Sequence, residues 1–326
     1  ADPPRGAGAT RPGAPGHGDV MRIVFWGTPA PAVPALEAFV ADPDVEVCAV
    51  VTNPDRPAGR GHSPRPPPVK VAAEQAAVPV WQPRKPREVL DDLVALDVDA
   101  CAVVAYGSIL PQGVLDAGGR GFVNLHFSLL PAWRGAAPVT HTLLAGEART
   151  GVTCFVLDKG MDTGPVLLRL KTPVGLRETA GELTARLAQL GSPLLVTAVK
   201  GLVDGSLEPV AQNEAGTSYA PKISPDDARL DWTRPSERLD HAVRAFNPMP
   251  GAFTAFGGTR LKVHTVTAVA ADGAPGEVVR LDRDGPVVAC GSGGLRLEVV
   301  QPAGKARMGG AAFANGYRPL GERLGG

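Results

Sequence analysis

Asn124, Leu125 and His126 close an apolar stretch, and Asp162 follows in Met161-Asp162-Thr163-Gly164. A carboxamide beside an imidazole suits a transfer at a carbonyl carbon. The amide N–H can stabilise a developing oxyanion, and the imidazole can give or take a proton near pH 7. Asp162 is the natural third member: a carboxylate in a loop bounded by Gly160 and Gly164 that orients the imidazole and raises its pKa. The order Asp162-Thr163-Gly164 also spells the aspartic-protease triplet. That chemistry needs two carboxylates sharing a proton, and the sequence has no second such triplet.

Positioning these groups is the task of the elements around them. Val123, Leu125 and Phe127 alternate with Asn124, His126 and Ser128, the period of a strand. Asn124 and His126 then share one face, about 6.5 Å apart, while the apolar residues turn to the other. Upstream, strands are expected over residues 22–26, 45–51, 78–81 and 99–105, and helices over 32–40, 70–77 and 87–96. This alternation predicts an α/β, Rossmann-like domain with a parallel sheet and helices on both faces. Ligands bind such sheets beyond the carboxyl ends of the strands, where His126 lies. Residues 152–157 and 166–172 read as further strands, and 179–204 as a long helix interrupted near Gly191. A polar, Pro- and Gly-bearing linker over 206–225 separates this domain (21–205) from residues 226–326. There a helix over 234–246 precedes five short strands, which predict a small OB-like β-barrel. Residues 1–20 lack an apolar core and read as a leader or tag.

Bulk properties narrow the function. Lys plus Arg equals Asp plus Glu at 33 each, so a nucleic-acid partner must be held by local patches. One such patch is the loop over 54–68, where Arg56, Arg60, His62 and Arg65 face Asp55 alone. Lys305 and Arg307, in a turn of the second domain, are another. The four cysteines have no C-x-x-C spacing, which argues against zinc and fits reduced thiols in the cytoplasm. No apolar run reaches the ~18 residues of a membrane span. Only Gly27 marks the first strand-to-helix turn, and the second strand ends in Thr52-Asn53, so dinucleotide binding is disfavoured. With no exposed apolar stripe, a monomer is expected.

Several ordered segments carry a resemblance to a known family. They are Phe25-Trp26-Gly27-Thr28-Pro29, the run from Pro54 to Gly61, Asn124-Leu125-His126 with Ser128-Leu129-Leu130-Pro131, Trp133-Arg134-Gly135, Met161-Asp162-Thr163-Gly164 and Gln301-Pro302-Ala303-Gly304-Lys305. Together they make the chain similar to the methionyl-tRNA formyltransferases from about residue 22 to 319. The resemblance implies 10-formyltetrahydrofolate as donor and the methionine amino group of initiator tRNA as acceptor. It places Asn124, His126 and Asp162 at catalytic positions. Ser128, Leu129, Leu130 and Pro131 fall on the folate-binding segment, and Val104, Tyr106, Gly107, Ile109 and Leu110 on the pocket wall. Residues 57–68 align with the loop that enters the acceptor arm, although His62-Ser63 stand where lysines are common. A formyltransferase with another amine acceptor, such as glycinamide ribonucleotide or an amino sugar, and a silent tRNA-binding protein are the alternatives.

Overall fold

The computed structural model describes residues 20–57 and 64–325. Residues 1–19 and two expected tRNA contacts, Arg60 and His62, lie outside the described residues. The first unit comprises β1 (Met21–Gly27), α1 (Val33–Ala41), β2 (Val45–Val51), β3 (Arg56–Pro57), β4 (Pro64–Arg65), α2 (Pro68–Gln75) and β5 (Val80–Trp81). It continues with α3 (Leu90–Leu96), β6 (Ala100–Val104), α4 (Gln112–Asp116), β7 (Phe122–His126), α5 (Pro138–Ala145), β8 (Arg149–Val156), β9 (Val166–Pro173) and α6 (Ala180–Asp204). The second holds α7 (Ser236–Ala245), β10 (Phe253–Phe256), β11 (Thr259–Val269), β12 (Val278–Asp282), β13 (Gly285–Ala289), β14 (Gly294–Pro302), β15 (Met308–Gly309) and α8 (Gly310–Tyr317).

Seven strands form the first sheet in the order β5-β2-β1-β6-β7-β8-β9. The first five run parallel, as the β/α alternation predicts. The next is reversed: β8 runs antiparallel to β7, and β9, antiparallel to β8, returns to the direction of the first five. The cause lies in the connections. A parallel neighbour needs a crossover to the far end of the sheet. α5 instead packs on α6 and on α7 of the second unit, so the chain re-enters from the end where β7 left.

Both faces of the sheet are covered. Val123 and Leu125 of β7 join Phe39, Leu183 and Leu195 in one core, while Phe122 joins Trp26 and Tyr106 in another. Trp26 meets the Tyr106 ring edge-on at 5.1 Å and Phe122 at 5.6 Å. The long helix α6 starts at a capping box: Glu182 N donates to Thr179 Oγ1, and Thr179 N donates to Glu182 Oε2. It then runs 25 residues without the break expected near Gly191. That glycine serves packing instead. A Cβ there would stand 2.8 Å from both methyl carbons of Leu125, so its absence lets α6 close onto β7.

The second unit has its own core around Trp232, Leu239, Leu297 and Phe313. Its antiparallel strands run in the order β10-β11-β14-β13-β12, with β15 on β14. The jump from β11 to β14 gives the crossed connectivity of an OB-like barrel, but no described pairing joins β10 to β12, so the sheet stays open. The sequence reading missed α8; Phe313 anchors it, with Phe256 edge-on at 5.3 Å and Tyr317 stacked at 4.9 Å. Among the described residues no helix is long and apolar enough to cross a membrane.

Because Gly191 sets the distance between α6 and the strand bearing Asn124 and His126, Gly191→Val should overpack that contact. We expect a loss of about 1–3 kcal/mol, read as a lower urea midpoint at unchanged slope.

Candidate active site

The carboxyl ends of four parallel strands stand side by side. Trp26 pairs with Val51, Gly27 with Val104, and Val103 with Asn124. Beyond these ends the loops are tied together. The Tyr106 carbonyl accepts from Thr28 Oγ1 at 3.1 Å and from Asn53 Nδ2 at 2.8 Å. Asn53 Nδ2 also donates to Thr28 Oγ1 at 3.0 Å. This pins the loop after β6, where Ala105 takes a left-handed backbone with φ 47°. Of the expected wall residues, Val104, Tyr106 and Leu110 are buried; Gly107 is exposed, and Ile109 is 88% exposed. The loop thus exposes its Gly107 backbone and its Ile109 side chain.

His126, the last residue of β7, is only 6% exposed. Its Nε2 lies 2.9 Å from the Trp133 carbonyl oxygen. A carbonyl can only accept, so the ring proton sits on Nε2 and the Nδ1 lone pair is free. Nδ1 faces Asp162 Oδ2 at 3.8 Å, close enough for charge to be felt but too far for a hydrogen bond. Asp162 is held in place by the Gly135 amide, which donates to Oδ2 at 2.7 Å. The tight return of its loop requires Gly164, where a Cβ would run into the Val156 carbonyl. Trp133 and Asp162 both have positive φ, 61° and 54°, which is uncommon for any non-glycine residue and rarer for a bulky one. Trp133 is further fixed by its indole N–H donating to Glu147 at 2.9 Å and by stacking on His141 at 5.8 Å.

Burial is the main influence on the imidazole and pushes its pKa below the usual value. The Asp162 charge and the Trp133 hydrogen bond act in the opposite direction. The expected upward pull of Asp162 is therefore present, but desolvation outweighs it and the ring is neutral at pH 7. Asn124 stands on the same face of β7, half-buried, and its carboxamide makes no hydrogen bond to any described residue.

The segment after β7 is built inward. Thr153 Oγ1 donates to the Ser128 carbonyl at 2.7 Å and accepts from Leu130 N at 3.1 Å. Ser128 Oγ donates to the Ala132 carbonyl at 2.6 Å, and Leu130 packs with Phe155 and Val166. The side chains of Ser128 and Leu130 are thus committed to the interior, while Leu129 and Pro131 are half-buried. Arg56 and Arg65 face each other across the β3–β4 hairpin, both exposed and without an ion pair among the described residues. The hairpin stands on the site itself: Gln82 Nε2 donates to Asp55 Oδ1 at 2.7 Å and to the Asn53 carbonyl at 3.0 Å, and Lys70 lies 3.0 Å from Asp55. Lys305 and Arg307 are exposed in the turn between β14 and β15, on the other unit. Trp133 and Gly135 were missed as site residues, although both lie in a motif singled out in the sequence.

Removing the Asp162 charge takes away an influence that favours the imidazolium. In Asp162→Asn the His126 ring, followed by its Cε1 proton resonance, should therefore titrate lower than in the parent, and the parent ring below about 6.5. An unchanged or raised value would contradict this balance of burial and charge.

Comparison with known proteins agrees with the geometry. Residues 21–199 match the formyl transferase family, and residues 222–318 the formyl transferase C-terminal domain. A methionyl-tRNA formyltransferase of Frankia casuarinae is 45% identical, with 94% of this chain and 96% of the relative aligned. One of Streptomyces coelicolor is 47% identical, over 94% of this chain and 100% of the relative. Among solved structures, an N-formyltransferase from Helicobacter canadensis superposes with a TM-score of 0.65 at 18% identity, covering 86% of this chain and 99% of that one. The methionyl-tRNA formyltransferase of Clostridium thermocellum gives 0.56 at 15%, over 76% and 93%. These two speak for the fold. With both domain models matched in order and full-length relatives above 44% identity, the chain belongs to the methionyl-tRNA formyltransferase family.

Proposed function

We propose that Asn124, His126 and Asp162 carry out the family's reaction, formyl transfer from 10-formyltetrahydrofolate to the methionine amino group of initiator tRNA. The observation that carries this reading is the free Asn124 carboxamide on the same strand face as a neutral, tautomer-fixed imidazole. A carboxamide with no protein partner keeps its N–H donors available for a ligand oxygen. Asn124 donates to the oxygen of the formyl group as the amine attacks the carbon. The new C–N bond forms, the bond from carbon to N10 of the folate breaks, and one amine proton ends on N10. His126 Nδ1 takes that proton and passes it on, with Asp162 stabilising the transient imidazolium. Cys101, Cys154 and Cys290 are poor nucleophiles, since burial pushes their thiols up to about 12.

For the folate, we read Gly107, Ile109, Leu129 and Pro131 as the contact surface, with Val104, Tyr106, Leu110, Ser128 and Leu130 shaping it from behind. For the tRNA, we assign the exposed Arg56 and Arg65 of the hairpin and Lys305 and Arg307 of the second unit. A chain with no net charge can hold a polyanion only through such local cations. The four free thiols, three of them buried, fit a protein working in the cytoplasm.

Transfer of radiolabelled formyl from the folate donor should mark charged initiator tRNA, and not elongator methionyl-tRNA or glycinamide ribonucleotide. Asn124→Ala should lose about 10²–10³-fold in kcat, as for a lost oxyanion donor. Label on the ribonucleotide would replace the acceptor; a folded Asn124→Ala protein with parent turnover would remove Asn124 from the mechanism. Binding of tRNA should weaken with salt, and Arg65→Ala should reduce the log–log slope by about 1. A slope untouched by the substitution would take Arg65 out of phosphate contact.

A further inference from the structure

The segment joining the two units is threaded through the site. It first pairs with the sheet: Val166 N donates to the Val210 carbonyl at 2.7 Å, and Val210 N to the Val166 carbonyl at 2.9 Å. Gln212 follows, with both faces of its carboxamide in use. Its Nε2 donates to the carbonyls of Asp162 and Gly164, each at 2.8 Å. Its Oε1 accepts from Arg134 Nε at 3.2 Å and Nη2 at 2.8 Å. Carbonyls only accept and a guanidinium only donates, so this amide orientation is the one that satisfies all four contacts. Arg134 is 2% exposed and also clasps Glu214, at 3.1 and 3.0 Å. Further along, Ser218 Oγ accepts from Trp133 N at 2.9 Å, and the Ser218 carbonyl accepts from Arg134 N at 2.9 Å. One strap therefore holds the loop that carries Asp162 and the peptide whose carbonyl fixes His126.

We infer that Gln212 and Ser218 are positioning residues for formyl transfer: Gln212 fixes the Asp162 loop through its backbone carbonyls, and Ser218 fixes the Trp133 peptide that orients His126. The inference rests on the reading that His126 and Asp162 act in the transfer. The geometry gives it force, because the 3.8 Å from Nδ1 to Asp162 is spanned by no direct hydrogen bond. That distance is set by what holds the two backbones, and on the Asp162 side the strap binds the Asp162 and Gly164 carbonyls, beside the loop's own bonds from Gly160 N and Thr163 Oγ1 to Asp158.

Gln212→Glu separates the two functions of the side chain. It keeps acceptors for Arg134 but loses both donors and turns a carboxylate toward two carbonyls. Turnover should fall about 10²-fold, the scale of a 1 Å misplacement, with KM for both substrates nearly unchanged. Gln212→Met, which removes both donors without adding a charge, should move the His126 titration down as Asp162 withdraws. Ser218→Ala, a small change at a half-buried site, should lower kcat and shift the His126 titration in the same direction. Asp162→Asn runs beside them. If it is impaired while Gln212→Glu and Ser218→Ala keep parent turnover and titration, the inference falls and the reading of the site stands. If Asp162→Asn itself turns over normally, that reading falls first. Lost turnover in the strap variants with an unmoved His126 titration also overturns the inference, since a general structural role would do as much. Should Gln212→Glu fail to fold, the Ser218→Ala pair of measurements decides alone.

Discussion

The hydrogen bond between His126 Nε2 and the Trp133 carbonyl governs the chemistry that the rest of the site can support. It places the ring proton on one nitrogen and leaves the other as a base. To present that carbonyl, Trp133 adopts a left-handed backbone conformation that a bulky side chain disfavours. Three of the six described non-glycine residues with positive φ, Ala105, Trp133 and Asp162, belong to the site. Such conformations persist only where surrounding contacts over-determine them. Here those contacts are the Glu147, His141 and Ser218 anchors of Trp133 and the Gly135 and Gln212 anchors of Asp162.

Burial and charge act against each other at His126, and their balance suits a proton carrier. Burial alone would leave the imidazole too reluctant to take a proton. A carboxylate at hydrogen-bond distance would hold it charged. At 3.8 Å, in a medium less polarisable than water, Asp162 favours the imidazolium without fixing it. Asn124 shows the complementary case. Its carboxamide makes no hydrogen bond to any described residue. A donor held ready in this way needs little reorganisation when an oxyanion forms.

Around this centre, the parts we assign to substrate handling are joined by hydrogen bonds. The basic hairpin rests on Asp55 and Gln82, and Gln82 also holds the Asn53 carbonyl, while Asn53 pins the loop with Gly107 and Ile109. Between the units, Gly181 N donates to the Asn247 carbonyl and Arg177 pairs with Glu298 at 3.0 Å. Beside this junction, Pro31, Gly181, Gln189 and Met249 help line a cleft of about 610 Å³. The hairpin and the Gly107–Ile109 loop thus share a framework of short polar contacts.

Local pattern in the sequence was enough for the strand bearing Asn124 and His126, for the β/α alternation of the first unit and for the five strands of the second. Period two and period 3.6 are properties of neighbouring residues, so they can be read without a fold. Gly191 was misread for the same reason: propensity treats glycine as a helix breaker, whereas its use is to admit Leu125 from a distant strand. The reversed direction of β8 depended on where α5 found a surface to pack against, and α7, nearly a hundred residues away, supplied it. No spacing could bring Asp162 to His126, or reveal that a polar run read as a linker holds Asp162 and Trp133 in place through Gln212 and Ser218. Residue types fixed which chemistry was possible; the distances that make it work arise from contacts between segments far apart in the chain, and only the folded molecule contains them.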